Sequence, residues 1–193
     1  MELIFATQNQ NKAKEIQNLL PNSIKVKTLS DIGCMEDIPE TSKTLEGNAR
    51  QKSVYVVEKY KVNCFADDTG LEISALDGAP GVYSARYAGV QKNSNDNMDL
   101  VLSKLDGATN RNAQFRTVIS VIINGEEEQF EGIAKGVITT EKSGKAGFGY
   151  DPIFKPEGYE KTFSEMSMTE KNAISHRGIA VGKLIAYLKT VNL

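Results

Sequence analysis

The sequence predicts a mixed α/β fold, and three observations carry that expectation. A short apolar run at residues 3–6 is followed, after a polar stretch, by a helical pattern at residues 12–20 with Ala13, Ile16, Leu19 and Leu20 on one face. Phe115, Thr117, Ile119, Val121 and Ile123 alternate along a strand that Asn124-Gly125 turns into a hairpin with residues 130–140. Helical patterns flank that hairpin on both sides, so parallel and antiparallel strands are expected in one mixed sheet. The 193 residues fit one domain or two closely joined lobes and can bury a core without disulfides.

The remaining elements follow in order. Residues 24–29 alternate as a second strand, and residues 44–60 carry Leu45, Ala49, Val56 and Tyr60 roughly in line as a helix. Residues 63–66 read as a strand ending at Asp67-Asp68-Thr69-Gly70, and residues 71–76 as another, before a Gly/Pro-rich loop through Gly81. A helix over residues 95–105 takes Ser94 or Asn95 as its cap. Residues 143–158 read as a Gly-rich loop. Ser167-Met168-Thr169-Glu170 has capping-box form and opens a terminal helix buried through Ile174, Val181, Leu184, Ile185 and Leu188.

Composition excludes several function classes. A formal net charge of -2 gives no global basic field for long nucleic acid, while leaving room for a small anion in a local pocket. Two separated cysteines, Cys34 and Cys64, and one histidine, His176, make neither a disulfide framework nor a His/Cys zinc cluster. The first residues lack the basic and apolar regions of a signal peptide, and no apolar run spans a bilayer. A soluble cytoplasmic protein with no membrane partner is expected.

Four constellations bear on chemistry. Thr7-Gln8-Asn9-Gln10-Asn11-Lys12 sits where the first strand meets the first helix, a place suited to phosphate; locally it reads equally as a polar capping loop with a solvated lysine. Glu40, Asp67 and Asp68 are hard oxygen ligands suited to Mg²⁺, and a carboxylate there can activate water. Local composition also makes Asp67-Asp68-Thr69-Gly70 a turn, and Lys52 and Glu46 solvated helix positions. Gly147-Phe148-Gly149-Tyr150-Asp151-Pro152 offers an aromatic platform for a base, with Asp151 to accept from a ring N–H; the alternative is a loop with Phe148 tucked beneath it. Lys171 and Ser175-His176-Arg177 supply donors near the last helix, although a histidine at a helix start also serves structure. Neighbouring Ser175 and His176 point apart on a helix, which argues against a nucleophilic pair.

Taken in order, these motifs resemble the inosine triphosphate pyrophosphatase family over nearly the whole chain. The resemblance rests on Thr7, Asn9 and Lys12; Glu40; Glu46-Gly47-Asn48-Ala49; Ala66-Asp67-Asp68-Thr69-Gly70-Leu71; and the block Gly78-Ala79-Pro80-Gly81-Val82-Tyr83-Ser84-Ala85-Arg86. Gly147 to Pro152, Lys171 and Ser175-His176-Arg177 complete it. Gln8 and Thr69 are mild variants of the family pattern.

The resemblance implies a two-lobed α/β fold with a long curved mixed sheet flanked by helices, an active site in the cleft between lobes, and a homodimer. It implies water attack at the α-phosphorus of deaminated purine triphosphates such as ITP, dITP and XTP, releasing pyrophosphate. Carried over by residue, Thr7, Gln8, Asn9, Gln10, Asn11 and Lys12 hold the triphosphate, with Lys52 adding charge. Glu40 and Asp68 bind Mg²⁺, and Asp68 accepts the proton of water. Thr69, Phe148, Gly149, Tyr150, Asp151, Lys171, His176 and Arg177 contact substrate. A Maf-like nucleotide pyrophosphatase, of related fold and other base preference, is the alternative.

Overall fold

The structure is a computed structural model that describes residues 2–191. Its elements are β1 (Glu2–Phe5), α1 (Gln10–Leu19), β2 (Lys25–Thr28), α2 (Leu45–Tyr60), β3 (Cys64–Ile73), β4 (Pro80–Gly81), α3 (Ser94–Lys104), β5 (Asn112–Ile123), β6 (Glu126–Ile138), β7 (Phe154–Pro156), α4 (Met168–Ile174) and α5 (His176–Leu188). Strands run in the order β2-β1-β3-β5-β6-β7, with β4 paired to β3. β1 is parallel to β2 and β3, whereas β3–β4 and β6–β7 are antiparallel, so the sheet is mixed as expected. No helix among the described residues is long and apolar enough to cross a membrane.

The chain forms two compact units, one of residues 1–68, 117–132 and 177–193, the other of residues 69–116 and 133–176. In the first unit, Phe5 of β1 lies in register with Phe65 of β3, and their rings stack with centroids 4.6 Å apart. Phe5 and Phe65 pack with Ile16 of α1 and Val181 and Leu184 of α5. The opposite strand face, through Ile4, Cys64 and Ala66, packs with Val56 of α2. In the second unit, Leu71, Ile73, Val101, Leu105, Phe115, Ile153, Phe154 and Phe163 form the core.

Several expectations change. Residues 63–66 and 71–76 are not two strands around a turn: β3 runs unbroken through Asp67-Asp68-Thr69-Gly70. Local composition favoured the turn, but buried cationic partners let both carboxylates sit inside an extended strand. Asn93, not Ser94 or Asn95, caps α3, accepting from the Asn95 and Asp96 N–H groups. The loop at residues 143–158 contains β7. The terminal helix is interrupted at Ser175, whose extended backbone (ψ 152°) separates α4 from α5. The capping box at Ser167 and Glu170 forms as read, and so does the 124–125 turn, with positive φ at Asn124 and Gly125.

Candidate active site

Alternation along β3 sorts the two adjacent aspartates. Side chains i and i+2 of a strand share a face, so Asp67 follows Phe65 toward α1 and α5, and Asp68 follows Ala66 toward α2. Asp67 Oδ1 accepts from Lys12 Nζ at 3.0 Å, and its Oδ2 lies 3.4 Å from an Arg177 guanidinium nitrogen. Arg177 also donates to Glu15, buried on α1. Asp68 Oδ2 accepts from the Asn48 amide at 3.1 Å, and its Oδ1 lies 3.7 Å from Lys52 Nζ. Lys52 Nζ donates to Glu40 Oε1 at 2.5 Å and to the Asp67 carbonyl at 2.7 Å.

These pairings set opposite proton affinities on neighbouring carboxyls. Burial raises the pKa of Asp67, but Lys12, Arg177 and Lys52 outweigh it and hold the carboxyl well below its ordinary value. Burial also raises Asp68, and there the lysines do not overcome it, so Asp68 stays above its ordinary value. Lys12 is lowered, chiefly by burial. Burial pushes Lys52 down, yet Asp68, Glu40 and Asp67 carry it above its ordinary value. A carboxyl of raised proton affinity beside one of lowered affinity is the arrangement general acid–base chemistry uses.

Glu40 and Asp68 converge on a single ammonium. Two carboxylates suit Mg²⁺, which keeps water and phosphate oxygens as its other ligands and rarely takes an all-protein cage; no set of three or more candidate ligands exists among the described residues. Asp67, grouped with them in the sequence, faces the other way onto cations. The solvated alternative for Lys52 fails, since the side chain is buried.

At the start of α1, Asn9 Oδ1 accepts from the Asn11 and Lys12 N–H groups and Thr7 Oγ1 from that of Asn9. The helix start is thus self-capped: the amides of Asn11 and Lys12, expected to be open to phosphate, are already used, while Gln10 and Asn11 remain exposed. Exposed Gln8 donates to the Glu36 carbonyl.

In the second unit, Asp151 Oδ2 accepts from both Lys171 Nζ and the Phe148 N–H, each at 2.8 Å. Lys171 Nζ lies 5.1 Å from the centroid of the half-buried Phe148 ring. Gly147 permits this loop: φ is +78°, and a Cβ there would lie 2.2 Å from the Asp151 carboxylate. Asp151, expected to meet a base, therefore organises the loop and Lys171. Tyr150 is a core side chain whose hydroxyl donates to the Ser84 carbonyl. Gly149 has φ +64°, and Thr69 is half-buried. His176 is buried and stacks on Phe115, centroids 4.5 Å apart and planes 17° apart.

Of the site residues read from the sequence, the structure places Lys12, Lys52, Glu40, Asp68 and Arg177 in the first unit, and Phe148, Asp151, Lys171 and His176 in the second. Sequence reasoning missed Glu15 and Asn48. Glu15 lies three residues after Lys12 and beside Ile16, on the buried face of α1, a signal available from helical spacing.

A family model described as the Ham1 family matches residues 3–187. The chain belongs to the Ham1 family. A relative from Flavobacterium psychrophilum, named dITP/XTP pyrophosphatase, is 60% identical over 189 residues, covering 98% of this chain and 100% of that protein. One of the same name from Bacillus subtilis is 46% identical over 192 residues, covering 97% of each. The solved structure of a HAM1 protein from Coxiella burnetii superposes with a TM-score of 0.90 at 38% identity, covering 99% of this chain and 100% of that one. The motif resemblance is thereby borne out, and the Ham1 match embraces every candidate site residue named above.

Proposed function

We propose that this Ham1 protein hydrolyses deaminated purine nucleoside triphosphates, ITP, dITP and XTP, to the monophosphate and pyrophosphate, with Mg²⁺ as cofactor. The observation that carries the reading is the division of labour on β3. Asp67 is held ionised by Lys12 and Arg177, while Asp68 keeps a raised proton affinity beside Lys52 and Glu40. The identity to relatives named dITP/XTP pyrophosphatase supports the substrate class.

Phosphoanhydride hydrolysis needs a positioned water and neutralised oxygen charge more than it needs a covalent nucleophile. Lys12 and Lys52 bring positive charge to the triphosphate, and Thr7 to Asn11 shape the start of α1 for it. Asp68 accepts the proton of the attacking water, for which burial has raised its affinity. Glu40 and Asp68 hold Mg²⁺, which when bound neutralises phosphate oxygens and makes water more acidic. Phe148 stacks on the purine. Lys171, His176 and Arg177 read it, with the backbone of Thr69, Gly149, Tyr150 and Asp151 completing the contacts. Donors aimed at C6 find a carbonyl in hypoxanthine and xanthine and an amino group in adenine. The protein works as a cytoplasmic homodimer without membrane partners, and without nucleic-acid partners, the last supported by the net charge of -2.

The test is pyrophosphate release from ITP and from dTTP, each with Mg²⁺ and with EDTA. Release from ITP alone, abolished by EDTA and restored by Mg²⁺, is expected. Preference for dTTP would instead favour a Maf-like enzyme.

A further inference from the structure

The segment Glu46-Gly47-Asn48-Ala49 has no role in the chemistry above, yet it places an amide at the centre of the acidic pair. Asn48 is 1% exposed on α2. Its Oδ1 accepts from the Ser42 N–H at 2.9 Å, and its Nδ2 donates to Asp68 Oδ2 at 3.1 Å. Ser42 lies two residues beyond Glu40 on the segment leading into α2. One side chain therefore ties the backbone beside one acidic residue to the carboxylate of the other.

Its neighbours on the same helix face complete the arrangement. Gln51 Oε1 accepts from the Thr41 and Ser42 N–H groups at 3.1 and 3.2 Å, and Gln51 Nε2 donates to Thr41 Oγ1 at 2.7 Å. Lys52 meets Glu40 and Asp68. Positions 48, 51 and 52 recur at helical spacing, so a single strip of α2 governs both carboxylates. Gln51 touches the Glu40 segment alone, Lys52 supplies charge, and Asn48 is the neutral group that grips Asp68.

The chemistry of the position specifies an amide. It needs an acceptor toward Ser42 and a donor toward Asp68, about a side chain's width apart, and asparagine carries one of each. A carboxylate would accept from Ser42 and repel Asp68, while an aliphatic side chain would offer neither bond.

We propose that Asn48 is a positioning residue of the Glu40–Asp68 pair. By holding Asp68 Oδ2 in its amide it leaves Oδ1 as the oxygen turned toward Lys52 and available to a divalent cation. The Ser42 N–H, held by Oδ1, fixes the amide so that Nδ2 faces Asp68. The proposal rests on the reading that Glu40 and Asp68 bind Mg²⁺, and the experiment separates the two.

Mn²⁺ binding to metal-free, nucleotide-free protein is measured by electron paramagnetic resonance of the free ion. The wild type is compared with Asn48→Leu, Asn48→Ser, Gln51→Ala and Asp68→Asn, each checked for folding by its thermal transition. Loss of a hydrogen-bonding partner behind a metal-binding carboxylate weakens affinity about 10–100-fold, and that range is expected for both Asn48 variants. Having two of them, one near in volume and one small and polar, guards against a packing failure. Gln51→Ala loosens the Glu40 segment without touching Asp68 and is expected to stay within about threefold of wild type. Wild-type affinity in both Asn48 variants, with affinity lost in Asp68→Asn, would overturn the proposal and leave the metal reading standing. An equal loss in Gln51→Ala would reduce Asn48 to a loop anchor and overturn its orienting role. Wild-type affinity in Asp68→Asn would remove the metal reading itself, and the proposal with it.

Discussion

Replacing Arg177 by alanine tests the buried charge network most sharply. The Arg177 side chain is 3% exposed, and its guanidinium donates to Glu15 and reaches Asp67, whose side chains are 4% and 1% exposed. Arg177→Ala leaves both carboxylates in place and removes the cation they share. Breaking a buried pair by deleting one partner costs about 3–5 kcal/mol, because the remaining charge keeps its desolvation penalty. Lys12 still faces Asp67 and offsets part of the loss there. With a urea m-value of about 2 kcal/mol/M, a loss of about 4 kcal/mol moves the unfolding midpoint down by about 2 M at unchanged slope. The double variant Glu15→Met, Arg177→Met removes the charges together and should recover part of the loss, since a buried pair can be exchanged for apolar packing at little net cost. Equilibrium urea unfolding followed by circular dichroism reads all three proteins. A shift below about 0.5 M for Arg177→Ala, equivalent to about 1 kcal/mol, would refute the claim that this guanidinium is a structural partner of Glu15.

Three further outcomes follow from the same geometry. Asp68→Asn, folded by its thermal transition, should lose at least about 10²-fold in ITP turnover, the scale for a positioned acid or base; near-normal turnover removes Asp68 from the mechanism. ATP should fall about 10⁴-fold below ITP in kcat/KM, because a site built to donate to a carbonyl leaves its groups mismatched on an amine. In the same assay Phe148→Ala should weaken both substrates alike, and folded Arg177→Ala should narrow their ratio. Cys34 and Cys64 should both resist a thiol reagent at pH 8 until urea unfolds the chain, since both are buried and burial pushes the Cys64 thiol up, away from its reactive thiolate; rapid labelling of either in native protein would contradict that packing.

How much was legible in the sequence depends on the reach of each interaction. The β5–β6 hairpin was readable because alternation and Asn124-Gly125 are local signals, and the Ser167–Glu170 capping box because its partners lie three residues apart. The path of β3 was not. What keeps Asp67 and Asp68 in an extended strand is Lys12, 55 positions away, Arg177, 110 away, and Asn48, 20 away. A window of local composition sees only aspartates and a glycine, which favour a turn. The break at Ser175 was hidden for a similar reason: residues 171 and 175 keep helical spacing through the Ser175 N–H to Lys171 carbonyl bond, although the backbone turns extended immediately afterward. Among site residues, types were legible and partners were not. Asp151 has the chemistry to accept from a base, but its Oδ2 accepts instead from Lys171 and the Phe148 N–H. Local composition does not separate neighbouring Asp67 and Asp68, which only the family resemblance told apart; strand alternation gives them opposite faces, and their partners opposite proton affinities.

Hydrolysis at the α-phosphorus of a deaminated purine triphosphate leaves its mark in the position of oxygen in the products. ITP is incubated with the protein and Mg²⁺ in ¹⁸O-water, and the nucleotide and phosphate products are separated and weighed by mass spectrometry. Attack at the α-phosphorus predicts IMP carrying one ¹⁸O together with unlabelled pyrophosphate. IDP and ¹⁸O-labelled inorganic phosphate as first products would contradict it and make the protein a γ-phosphatase.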